Sequence, residues 1–90
     1  MASRRSIIAG NWKMNKTGTE ARAFAEAFVR EVGKFSGCDI VVCPPFTALE
    51  AVRAGLAGAS NIALGAQNVH FEASGAYTGE VSPQMVREFC

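Results

Sequence analysis

Asn11 and Lys13 stand two residues apart just past a short apolar segment, residues 6–10. Side chains alternate along a strand, so Ile7, Ala9 and Asn11, with Lys13 if the backbone stays extended, share one side. That series runs from apolar to amide to ammonium, the pattern of a packed interior opening into a polar mouth. Lysine brings three donors and a full positive charge. It suits a phosphate, or an oxyanion that develops during a reaction. An asparagine beside it can donate to a substrate oxygen without adding charge. Asn-x-Lys alone is too short to fix a chemistry, because a surface lysine in a strand-to-helix turn has the same spacing.

The elements that must position these residues follow from periodicity. Residues 6–10 read as a strand ending at Asn11. Thr17 and Glu20 have the spacing of a capping box, in which each side chain satisfies an orphan amide at a helix start. Ala21, Phe24, Ala25, Phe28, Val29 and Val32 then recur at helical intervals and predict one buried stripe, with Gly33 as the stop. Residues 39–43 are an apolar run of the kind buried on both faces of a parallel sheet, ended by Pro44-Pro45. Thr47 and Glu50 repeat the capping-box spacing ahead of Leu49, Val52 and Leu56. Residues 61–66 read as a third strand. Ser82-Pro83 has the signature of a helix start, serine as cap and proline in the first turn, with Met85, Val86 and Phe89 as an apolar face. Between them, residues 67–81 form a connection with no period of its own, a length usually reserved for functional or disordered loops.

Composition narrows the class. Hydrophobic residues are 49% of the 90 and charged residues 19%, which favours a packed core over disorder. A net charge of +1 with no basic run gives nucleic-acid binding no electrostatic footprint. Arg4-Arg5 is followed only by Ile7-Ile8-Ala9, far short of the roughly 7–15 apolar residues of a secretory signal. A cytoplasmic protein with no membrane partner is expected. Cys38, Cys43 and Cys90 are odd in number and show no metal spacing, so no metal site is predicted and reduced thiols are expected. Cys43 reads as a small buried hydrophobe.

Asn11-Trp12-Lys13-Met14-Asn15, directly after the first strand, resembles the opening motif of the triosephosphate isomerases. Val42-Cys43-Pro44-Pro45-Phe46 is similar to that family's second strand end, and Leu64-Gly65-Ala66-Gln67-Asn68-Val69 to its third. Gly75-Ala76-Tyr77-Thr78-Gly79-Glu80-Val81-Ser82 is similar to its interface loop. These blocks fall in family order over nearly the whole chain.

The resemblance implies an α/β fold, the first three β-α units of an eight-stranded parallel (β/α) TIM barrel, with residues 1–90 as a single incomplete domain. It implies interconversion of dihydroxyacetone phosphate and glyceraldehyde 3-phosphate in glycolysis and gluconeogenesis, without cofactor. Lys13 would be catalytic, and Asn11 and Lys13 would bind the phosphorylated triose. Gln67 matches a supporting position near the lysine. Met14, Asn15, Thr78, Gly79 and Glu80 match the interface of a homodimer, with Glu80 in an ion pair across it. The family's histidine electrophile and glutamate base match nothing in these residues, so the 90-residue chain alone is expected to be inactive. His70 occupies a different position and reads as a packed or solvated loop histidine. Glu72 and Glu80 do not fit the base. Two other readings stand beside this one: another barrel enzyme handling phosphorylated substrates, which would lack the Thr78-Gly79 block, and a non-enzymatic module docking a partner through the long loop, which would need a self-sufficient fold.

Overall fold

The computed structural model describes residues 4–90. The three apolar segments form one parallel sheet in the order β1 (Ile7–Asn11), β2 (Asp39–Cys43), β3 (Ile62–Leu64). Ile8, Ile40 and Ile62 stand side by side in the register, and so do Gly10, Val42 and Leu64. Parallel neighbours point the same way, so these rows make one face of the sheet. Ala9, Val41 and Ala63 lie in the row between and make the other.

Helices cover the β2 and β3 part of the first face, while Ile8 of β1 is 62% exposed. After β1 comes α1 (Gly18–Val32), after β2 comes α2 (Leu49–Gly55), and α3 (Pro83–Arg87) follows the long connection. The core joins Ile40, Val42 and Ile62 of the sheet to Ala21 and Ala25 of α1, and to Val52 and Leu56 beyond. Small residues set the helix spacing. A side chain on Gly55 would place its Cβ 2.7 Å from that of Ala25, so α1 and α2 meet where neither carries bulk. The alternating burial of β2 corrects the expectation of a strand buried on both faces. Ile40 and Val42 are buried under the helices, whereas Val41 and Cys43 on the other face are only half-buried. On that face Ala9 and Ala63 are exposed.

Local signals held at two helix starts and failed at one. The Thr17 side chain accepts from the Glu20 amide, and Glu20 accepts from the Thr17 amide at 2.9 Å, so the capping box forms. Ser82 accepts from the Met85 amide, with Pro83 in the first turn. The Thr47–Glu50 box does not form. Pro45 opens a 3₁₀ turn at Phe46–Ala48, which takes Thr47 inside it and leaves Ala48 to precede α2 without a side-chain cap. The third strand is also shorter than residues 61–66. Asn61 turns its amide to the carbonyls of Val32 and Phe35 at 2.8 and 2.7 Å, tying the strand's entry to the end of α1. Gly33 does end α1, but at φ −61°, not in a left-handed turn. A Cβ there would lie 2.5 Å from the Val29 carbonyl oxygen. Among the described residues no helix is long and apolar enough to cross a membrane.

Candidate functional site

The carboxyl ends of the three strands lie together, because parallel pairing aligns Asn11 with Cys43 and carries Val42 alongside Leu64. Ligands of parallel α/β folds bind at this end. The chain leaves β1 there through a tight turn. Trp12 donates its amide to the Cys43 carbonyl, still in the sheet pattern. Lys13 then swings to φ +55° and Lys16 to φ +75°. Only a few per cent of non-glycine residues adopt such angles, and they persist where the surroundings over-determine them.

Those surroundings are visible bond by bond. The Lys13 amide donates to Asn11 Oδ1 at 2.8 Å. Asn15 Nδ2 donates to the Trp12 carbonyl at 2.7 Å. Gln67, arriving just after β3, donates its Nε2 to two carbonyls at once, Lys13 at 3.0 Å and Cys43 at 2.9 Å. One amide from the third strand end thereby fixes the turn after the first and the end of the second. Because Asn11 Oδ1 accepts from the Lys13 amide, its Nδ2 is the atom left to donate outward.

Asn11, Lys13 and Gln67, predicted as one group, are therefore brought together. Asn15 belongs to the same turn and braces it, while Met14 beside it is 95% exposed. Thr78, Gly79 and Glu80 are not part of this cluster. They lie at the tip of the long connection, where the His70 amide donates to the Val81 carbonyl at 2.8 Å and the Glu80 amide to the Tyr77 carbonyl at 3.0 Å. The loop is built around its own aromatics. The His70 ring lies between Phe71 and Tyr77, at centroid distances of 4.6 and 4.3 Å. Gly75 stands at φ +138°, and a Cβ there would come within 2.7 Å of the Tyr77 ring. The carboxylate of Glu80 lies 4.0 Å from His70 Nδ1. His70 thus reads as a loop-packing residue, as expected.

Sequence reasoning missed the aromatic support of the turn. Trp12 meets Phe24 edge-on at 5.3 Å, and the Lys16 ammonium sits 5.0 Å from the Phe24 ring centroid. No spacing rule links a turn lysine to a helix phenylalanine eight positions on. Nor does lysine advertise a left-handed backbone, as glycine or asparagine would.

The cysteines are free. Cys43 is half-buried where a buried hydrophobe was expected. Burial, then the neighbouring Cys43, pushes the Cys90 thiol above its ordinary range, so it is not an activated nucleophile. Among the described residues no three His, Cys, Asp or Glu side chains cluster as a metal site.

A family model described as triosephosphate isomerase matches residues 6–90. The chain is 55% identical over 85 residues to a triosephosphate isomerase of Carboxydothermus hydrogenoformans, covering 94% of this chain and 34% of that one. It is 55% identical over 83 residues to one from Clostridium beijerinckii, covering 92% and 33%. Among solved structures, a triosephosphate isomerase from Bartonella henselae superposes with a TM-score of 0.77 at 41% identity, over 94% of this chain and 34% of that one. The chain spans about a third of the length of the curated relatives it matches.

Proposed function

Because this chain belongs to the triosephosphate isomerase family, we propose that it supplies the lysine-bearing part of an active site that interconverts dihydroxyacetone phosphate and glyceraldehyde 3-phosphate. The observation that carries the reading is the left-handed Lys13, held at the strand ends through its own backbone by Asn11 and Gln67. A turn fixed by bonds to both its amide and its carbonyl frees the side chain for a ligand and limits where the ammonium can go.

The chemistry follows from charge. Moving a proton between adjacent carbons of a triose phosphate passes through an enediolate, which adds negative charge to a substrate that already carries a phosphate. A fixed ammonium stabilises that charge more as it develops, which is the condition for acceleration. Asn11 Nδ2 donates to a substrate oxygen from the same edge. The proton itself is moved by the glutamate base known in this enzyme family while a histidine electrophile polarises the carbonyl, and neither matches anything in residues 1–90. On this reading the protein works in the cytoplasm, in glycolysis and gluconeogenesis, as a homodimer. The homodimer is supported by the exposure of Met14 beside the turn and by Phe71, 84% exposed on the long loop. Large apolar groups left open in this way mark surfaces that a partner covers.

The test is a fusion chain, residues 1–90 followed by the remainder of the Carboxydothermus hydrogenoformans relative. It should isomerise triose phosphates, and Lys13→Met should lower kcat/KM by at least about 10²–10³-fold, the usual loss for one preorganised donor. Inorganic phosphate should inhibit the parent fusion and bind the variant more weakly. A fusion whose Lys13→Met variant keeps the parent kcat/KM rejects the assignment.

A further inference from the structure

We infer that Phe24 is a positioning residue for Lys13, holding both ends of the left-handed turn that carries the lysine. This rests on the reading of Lys13 as the substrate-facing cation. Phe24 stands on the second turn of α1 and is 41% exposed. Three groups use its ring. Trp12 meets it edge-on at 5.3 Å with the planes at 82°. Phe28 stacks on it at 5.7 Å and 18°. The Lys16 ammonium sits 5.0 Å from its centroid, within the range of a cation–π contact.

Trp12 and Lys16 are the two residues that bracket Lys13, Met14 and Asn15. One ring therefore grips the turn before and after the lysine. The hydrogen bonds from Asn11, Asn15 and Gln67 fix the shape of the turn and its seat on the sheet. The ring fixes it to α1. Lys16 is itself left-handed, at φ +75°, so both lysines of the turn hold backbone angles that depend on their surroundings. Simple filling of the helix stripe explains none of this. A leucine would cover the same apolar surface, yet it offers no face to an ammonium and no edge contact to an indole. The contact also turns the Lys16 charge onto the helix.

The experiment uses the fusion chain described above, with kcat, KM and thermal melting measured for each variant. Phe24→Leu keeps apolar bulk and removes the ring. Phe24→Tyr keeps the ring. Lys16→Met keeps length and removes the charge, and Lys16→Arg keeps the charge. Phe24→Leu should lower kcat/KM about tenfold and Lys16→Met about threefold, mainly in kcat, in line with the strength of aromatic-pair and exposed cation–π contacts. Phe24→Tyr and Lys16→Arg should stay near the parent. The double variant should be no slower than Phe24→Leu alone, since the lysine acts through the ring. Parent kcat/KM in both Phe24→Leu and Lys16→Met, beside a disabled Lys13→Met, overturns this inference and leaves the function standing. A loss in Phe24→Leu that Phe24→Tyr fails to restore also overturns it. Should Phe24→Leu not fold, the exposed Lys16 pair decides alone: equal kinetics for Met and Arg at that position overturns the inference. An active Lys13→Met removes the reading beneath it, and both fall.

Discussion

At the scale of single residues, Gln67 joins more of the site than any other side chain. Its one amide group satisfies the carbonyls of Lys13 and Cys43, which belong to different strand ends. Replacing it by leucine removes both donors while keeping the bulk. A buried carbonyl left without a partner costs about 1–3 kcal/mol; here the Cys43 carbonyl keeps the Trp12 amide and the Lys13 carbonyl is open to water, which holds the cost to the lower end of that range. Gln67→Leu in the fusion chain should therefore lower the urea midpoint modestly and kcat/KM by a larger share, because the turn that loses its anchor carries Lys13. Urea melts and steady-state kinetics on the same preparation check this, and a stability loss with unchanged kinetics contradicts it. The positions of Asn11 and Lys13 at a strand end could be read from the sequence, because alternation and the proline that ends the next strand both mark that end. Their geometry could not. Two lysines at φ +55° and φ +75° look in sequence like any two lysines, since what holds them is a set of partners up to 54 positions away.

The same contrast holds for the elements. Caps and stripes were legible where the decisive partners are three or four residues apart, as at Thr17–Glu20 and Ser82–Met85. The Thr47–Glu50 spacing misled because the prolines before it had already set the chain into a 3₁₀ turn. The start of β3 misled because Asn61 found carbonyls at and just past the end of α1 that local pattern cannot reveal. The Thr17 box allows a clean test. Thr17→Ala should cost about 1 kcal/mol of stability in the fusion chain, the usual value of such a cap. The box also has a sign in pH. The backbone amide of Thr17, then its hydroxyl, hold the Glu20 carboxyl below its ordinary range. A carboxyl whose folded value is depressed adds stability above its unfolded value, near 4.3, and that stability is lost as pH falls through the folded value. Glu20 is fully exposed, so the effect is small and local. Helicity of α1 should decline on acidification below about pH 4 in the parent and less so in Glu20→Gln. A chemical-shift titration of residues 18–22 would read it, and identical acid profiles in the two proteins would contradict the box.

At the scale of the molecule, the sheet is open where a barrel is closed. A compact 90-residue domain has a radius of gyration of about 12 Å, whereas this chain measures 14.3 Å with extents of 44 × 39 × 21 Å. Its accessible surface of 6531 Å² also exceeds the roughly 5,000 Å² of a folded monomer of this mass. The excess lies partly on the bare sheet face and partly on β1, where Ile7 and Ile8 are each 62% exposed. Unpaired strand edges beside apolar surface favour self-association. The 90-residue chain by itself should be inactive and should scatter light at micromolar concentration, and a monomer with a cooperative urea transition would refute the second part. The long loop asks a different question, because its Tyr77 is used within its own chain while Phe71 stays exposed. Tyr77 folds back onto His70 and Gly75, and Glu80 lies near His70, so the loop is pre-shaped within its own chain. What it presents outward is the small tip, Thr78-Gly79, with Gly79 at φ +87° and nothing near its missing Cβ. A rigid loop with a small tip loses little entropy on insertion, which suits it to enter a neighbour's pocket. In a two-fold dimer such an insertion is made twice. The exposed Met14, next to Lys13, offers a matching apolar wall. We therefore expect that replacing residues 76–79 in the fusion chain by Gly-Ser-Gly-Ser yields monomers and lowers kcat/KM together, whereas Tyr77→Leu, which loosens the loop without removing Thr78, weakens the dimer less. Sedimentation velocity and kinetics on the two variants separate the cases. If the Gly-Ser variant remains a dimer of parent activity, the loop is a solvent-exposed connection and the partner's Thr78 has no part in placing Lys13.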